Sequence, residues 1–196
     1  MSNLIPPHGG YQKLKSFQTA EIIFDFTKEF CDRYLSNTSY SSNKSYRTYD
    51  QMFQAARSGK QNIVEGSQDS GTSKKTELKL VGVARGSLQE LLEDYKDFLR
   101  QRNLSLWGKD SPRVAEIRQL AYLSDKSYQT YGFYLSDSAV AANVAICLIN
   151  QVNFLLDRQI KSLEEKFIKT GGWSENIYNK REQARKRQRN PIADNW

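Results

Sequence analysis

The chain has 196 residues, of which 38% are hydrophobic and 26% charged, with a formal net charge of +7. That length carries one domain with a real core, and the composition excludes both a wholly disordered chain and a membrane-embedded one. Two cysteines, Cys31 and Cys147, and one histidine, His8, exclude a zinc site of ordinary spacing; the thiols read as small buried hydrophobes.

The first elements follow from apolar spacing. Leu14, Phe17, Ala20, Phe24, Phe30 or Cys31, and Tyr34 recur every three to four residues with charged positions between them, which predicts an amphipathic helix over about 11–35. Ser36 to Ser45 is rich in Ser and Asn and has no period, so it reads as an exposed loop. A second helix is expected over about 46–65, through Tyr49, Met52 or Phe53, Ala56, Ile63 and Val64, with Gly66 as a left-handed cap. The polar stretch Ser67 to Ser73 supplies capping hydroxyls. From Lys74 to about Gln101, the positions Leu78, Val81, Leu88, Leu92, Tyr95 and Leu99 give the strongest helical period in the chain.

Trp107 to Pro112 breaks that period, and Ser111-Pro112 is an N-cap and first-turn pair for a shorter helix through Tyr122. A connection of Ser, Asp and Gly residues follows to Ser138. The last long helix, about 138–169, stops at Gly171-Gly172. Its nearly uncharged stretch, Ser138 to Leu156, holds Asn143, Asn150, Gln151 and Asn153, so no membrane span is expected. Met1 to Pro7 holds no basic region followed by an apolar run, so no secretory signal is read and a cytoplasmic location is expected. Four amphipathic segments joined by polar turns predict an all-α antiparallel up-down four-helix bundle over 1–172. The 104–136 region is an excursion on its third connection, and 173–196 form a basic C-terminal extension.

Four features bear on function. Within Lys180 to Arg189 lie six positive charges and one negative, with almost nothing apolar to bury, so the segment reads as an unfolded arm. It is either a solvated tail or a phosphate-binding element made of Lys180, Arg181, Arg185, Lys186, Arg187 and Arg189; its arginine excess favours RNA. Lys74, Lys75 and Lys79 open the third helix where they oppose the macrodipole, so they are candidate nucleic-acid contacts, with a solvated helix face as the plainer reading. Small residues one turn apart, Ala55 with Gly59 and Gly82 with Gly86, form flat strips for close helix approach, either inside the bundle or between subunits. Arg57, Asn62, Glu65, Arg85, Ser87 and Glu90 sit beside these strips and read as a structural polar network. No catalytic residues, metal or cofactor are expected, since no nucleophile-base pair or carboxylate cluster is visible. A scaffold that binds a partner protein is the competing function.

The run Arg57-Ser-Gly-Lys-Gln-Asn-Ile-Val-Glu-Gly66, followed by Glu77-Leu-Lys-Leu-Val-Gly-Val-Ala-Arg-Gly-Ser-Leu-Gln-Glu-Leu91, resembles the signature of the four-helix-bundle proteins related to the 23S ribosomal RNA intervening-sequence protein. The accessory variability protein of diversity-generating retroelements is similar and falls in the same superfamily. Gly9-Gly-Tyr-Gln-Lys-Leu-Lys-Ser-Phe17, Cys31-Asp-Arg33 and the stretch Asn143 to Gly172 resemble more narrowly the four-helix-bundle suffix-domain branch. The resemblance implies a non-enzymatic homo-oligomer, typically a pentameric ring, with basic surface toward nucleic acid or a nucleic-acid enzyme. On its pattern, Asn62, Glu65 and Gly66 match an Asn-Ile-x-Glu-Gly element, and Arg85, Ser87 and Glu90 an Arg-Gly-Ser-Leu-x-Glu element, both as bundle and interface architecture. The 104–136 excursion and the basic extension depart from the small members.

Overall fold

A computed structural model of the chain describes residues 8–36, 44–124 and 126–189. They are all-helical, with no strand among the described residues. A single 3-10 turn, Tyr11–Lys13, leads into α1, Lys15–Tyr34; α2 is Lys44–Asp69 and α3 is Lys74–Gln101. The excursion holds α4, Pro112–Leu120, then α5, Tyr128–Gly132, and a 3-10 turn, Phe133–Ser136. It returns to α6, Ser138–Thr170, and α7 is Trp173–Arg189.

Each of the four long helices packs on two others: α1 on α2 and α6, and α3 on α2 and α6. All four pairs run antiparallel, and side-chain contacts fix the register. Ser16 Oγ donates to Gln159 at 2.9 Å while Arg33 and Tyr34 reach the Leu135 carbonyl. Asp32 accepts from Tyr49 at 2.8 Å while Phe24 meets Phe53. The Ser58 and Ser87 hydroxyls meet at 2.9 Å, whereas Gly66 lies against Leu80 and Val81. Arg85 reaches Asp157 at 3.0 Å, but near the other end of α3 the Ser105 carbonyl receives Asn143 at 2.9 Å. One end of the molecule therefore gathers the starts of α1 and α3 and the ends of α2 and α6.

The core is aromatic at its centre. Phe30, fully buried, packs edge-on to Tyr95 at 4.9 Å and to Phe98 at 4.8 Å, and burial of such a ring stabilises the fold by about 2–3 kcal/mol. The Tyr95 hydroxyl, equally buried, donates to Thr27 Oγ1 at 3.1 Å, which satisfies a polar group that would otherwise cost stability. Cys31 and Cys147 are free and buried. Burial pushes the Cys31 thiol up to about 12 and the Cys147 thiol up to about 11. By length and composition α6 could cross a bilayer, and 67% of its apolar window is buried against the rest of the chain, as in the central helix of a packed domain.

Several expectations are corrected. Gly66 does not end a helix: α2 continues to Asp69, and a Cβ at position 66 would lie 3.4 Å from the Glu77 carbonyl oxygen and the Leu80 Cβ, so the glycine answers to close packing with α3. The stretch before Ser138 is not a plain connection, because it holds α5 and the 3-10 turn, with Tyr131 and Leu135 buried. The basic extension is helical through Arg189. Its Glu, Gln, Ala, Lys and Arg residues are good helix formers, and Glu182 pairs with Lys186 one turn on at 3.4 Å. The 36–45 loop falls largely on residues 37–43, outside the described residues; α2 already starts at Lys44.

Candidate nucleic-acid interface

Helix α3 opens at the shared end described above. Ser73 caps it, accepting from the Thr76 N–H at 3.1 Å. Lys74 is turned back onto the buried Glu77, 2.9 Å away, so its charge and the helix dipole are already answered within the first turn. Lys75 and Lys79 remain exposed and carry no ion pair among the described residues.

Because α6 ends beside the start of α3, α7 departs from the same end. Along α7, Lys180, Arg181, Arg185 and Lys186 are all exposed; the side chains of Arg187 and Arg189 lie outside the described residues. Among the described residues only Lys186 of these is engaged by a carboxylate, Glu182. α7 thus starts at the end of the molecule that holds Lys75 and Lys79 of α3, and its first exposed cation, Lys180, comes seven residues further on.

The small-residue strips divide. Ala55 is buried, and Gly59 faces α3: a Cβ there would fall 2.6 Å from Leu88 Cγ. That strip belongs to packing within the chain. Nothing lies within 4 Å of a Cβ placed at Gly82 or Gly86, and both are exposed, as is Val83 between them. The polar neighbours divide likewise. Asn62 donates to the Ser58 carbonyl at 2.8 Å and its hydroxyl at 3.1 Å, extending the Ser58–Ser87 contact. Arg85 reaches Asp157 and Gln89, each at 3.0 Å; Gln89 also reaches Glu93 at 2.9 Å. Arg57, Glu65 and Glu90 are exposed and do not join this network.

Sequence reasoning missed a groove of about 630 Å³ between the excursion and α6, lined among others by Lys96, Trp107, Lys109, Arg118, Tyr122 and Phe154. Its position rests on Asn143, buried in α6. Asn143 Oδ1 accepts the Trp107 N–H at 2.8 Å, and Nδ2 donates to the Ser105 carbonyl at 2.9 Å and to Ala139 at 2.8 Å. Tyr122 is 89% exposed and Phe154 is 61% exposed. Arg113 stands 5.4 Å from the Trp107 ring centre and Arg158 stands 5.8 Å from that of Phe154, both within cation–π range. Lys96 pairs with Glu93 at 2.9 Å, while Lys109 and Arg118 carry no ion pair among the described residues. Aromatic residues in a stretch without helical period were the available signal.

Among the described residues no group of three or more His, Cys, Asp and Glu is arranged to hold a metal. The most perturbed carboxyl is Asp94, raised to about 6 by partial burial and then by the negative charges of Asp97 and Glu90. No protein-family model, curated protein or solved structure matches the chain.

Proposed function

We propose that this chain is a non-enzymatic, cytoplasmic, antiparallel four-helix bundle of α1, α2, α3 and α6 that self-associates and binds nucleic acid, RNA first. The observation that carries the binding is the exposed cationic run Lys180, Arg181, Arg185 and Lys186, interrupted by one carboxylate, Glu182, on a helix that starts at the end holding Lys75 and Lys79. Clustered cations bind polyanions by releasing condensed counterions, and arginine, which dominates α7, both forks onto phosphate and stacks on bases. The resemblance to the intervening-sequence bundle proteins supports the same reading, and a pentameric ring is what that resemblance implies.

The test is anisotropy of a labelled single-stranded RNA titrated with the full chain and with a chain ending at residue 174, each at several salt concentrations. Removing the extension weakens binding and flattens the dependence of affinity on salt, by about 0.7 in the logarithmic slope for each phosphate that is no longer neutralised. Unchanged affinity and slope remove α7 from the interface.

A second reading, a scaffold for a partner protein, is favoured by one observation: Gly82, Val83 and Gly86 form an open strip that none of the described residues covers. Light scattering coupled to size exclusion, with absorbance at 260 and 280 nm, separates the two. A closed oligomer that sheds nucleic acid at high salt supports the first. A polypeptide that stays bound through nuclease and high salt supports the second.

A further inference from the structure

We propose that the groove between the excursion and α6 is a stacking site for unpaired nucleic-acid bases, with Tyr122 and Phe154 as its open platforms. The inference rests on the nucleic-acid reading above and deepens it, since it adds a place for base contact to the phosphate contacts of α7.

The argument starts from exposure. Rings as large as Tyr122 and Phe154 ordinarily stabilise a fold by burial, yet here they stand 89% and 61% exposed at the rim of one cavity. Trp107, partly buried, lines the same cavity, and its N–H donates to Asn143, which ties this wall to α6. The volume, about 630 Å³, lies within the range of about 300–1,000 Å³ of pockets that bury small ligands.

Charge selects the occupant. Lys96, Lys109 and Arg118 line the groove, and no carboxylate does. Arg113 and Arg158 stand near the aromatic rings, outside the lining. An apolar peptide would gain nothing from this many cations, whereas a single strand offers flat π-faces for the rings and phosphates for the cations. That pairing of aromatic platforms with cations marks sequence-tolerant single-strand sites.

Continuity adds to it. Phe154, Arg158 and Lys161 lie one turn apart along α6, and all three are exposed. They lead from the groove toward the end where α7 departs. The next position on the same stripe is the exposed carboxylate Glu165, so the cationic path that leaves the groove along α6 runs as far as Lys161.

Tyr122→Ser, Phe154→Ser and the double variant test the site, because both rings are exposed and their removal leaves the core intact. The probes are a labelled twelve-nucleotide oligouridylate and an abasic oligodeoxynucleotide of the same length, titrated with the full-length protein. The intact protein prefers the oligouridylate. Each substitution lowers oligouridylate affinity by on the order of tenfold, leaves abasic binding and the salt slope unchanged, and the double variant loses the preference. The chain ending at residue 174 loses salt slope and keeps the preference.

Equal binding of both probes by the intact protein overturns the proposal while leaving phosphate binding through α7 in place. A double variant that keeps the preference also overturns it. Absence of affinity for either probe at low salt sinks both readings together.

Discussion

Two small-residue strips placed differently by the fold make opposite predictions. At Gly59 an added Cβ meets Leu88 Cγ at 2.6 Å and Cδ2 at 2.9 Å, and Leu88 is fully buried, so it cannot swing into solvent. Alanine gains about 1 kcal/mol of helix propensity, but separating α2 from α3 or forcing Leu88 off its rotamer costs about 1–3 kcal/mol. Gly59→Ala is therefore a net loss of about 1 kcal/mol. At Gly82 and Gly86 an added Cβ meets no neighbouring element within 4 Å among the described residues, so each alanine there stabilises an isolated subunit by about 0.5–1 kcal/mol. Urea unfolding followed by far-ultraviolet circular dichroism reads both signs, and for a chain of this size each kcal/mol moves Tm by about 2–4 °C. Leu88→Ala in the Gly59→Ala background must cost about 1–3 kcal/mol less than in the native one, since the clash is then gone. A Gly59→Ala protein as stable as Gly82→Ala would refute the packing argument. Loss of stability at Gly82 or Gly86 together with dissociation on size exclusion would place that strip in a subunit contact.

Three further outcomes follow from single sites. Asp94 titrates near 6 in the folded chain against an ordinary 3.8, so folding favours its protonated form: its contribution is unfavourable at pH 7 and is relieved as pH falls through 6 toward 4. Asp94→Asn, measured by urea unfolding, raises stability at neutral pH by about 1 kcal/mol once solvent screening of this partly exposed group is counted, and the gain vanishes below about pH 4. Asn143→Ala leaves the Trp107 N–H and the Ser105 carbonyl without their partner and costs about 2–3 kcal/mol, with the 102–110 amides losing hydrogen-exchange protection ahead of the core. The native thiols, buried and raised to about 12 and about 11, do not react with a disulfide reagent near pH 8 until denaturant is added.

Helix positions were legible because burial follows the apolar spacing. Phe17, Ala20, Phe30 and Cys31 of α1 and Val81, Leu88, Leu92, Tyr95 and Leu99 of α3 are all buried. What was missed lacks that signal. The short α5 spans five residues, too few for a period, and is set by a local bond from the Ser127 N–H to Thr130 Oγ1 at 3.0 Å. Gly66 has the sequence look of a cap, but only the approach of Glu77 and Leu80 from the next helix reveals why glycine stands there. In α7 there is no apolar face to read, and its helix rests on residue propensity. The groove joins Lys96, Trp107, Tyr122 and Phe154, residues far apart in the chain, so no spacing rule could have assembled it.

The open face of α3 brings these threads together. Lys75, Lys79, Gly82, Gly86, Glu90 and Glu93 succeed one another at intervals of three or four, all exposed, so they form one stripe with positive charge at one end, no side chains in the middle and negative charge at the other. A helix that only covered its own core would gain stability from alanine at both glycines. Laid antiparallel on a second copy about the Gly82–Gly86 segment, the stripe would set Lys75 and Lys79 of each chain against Glu90 and Glu93 of the other, with backbones close at the centre. Such a contact is isologous and closes a pair, whereas a ring of five requires a heterologous one. The oligomer mass thus decides between the strip and the resemblance as guides to assembly: an even number favours the α3 stripe, and a pentamer assigns closure to a different pair of surfaces.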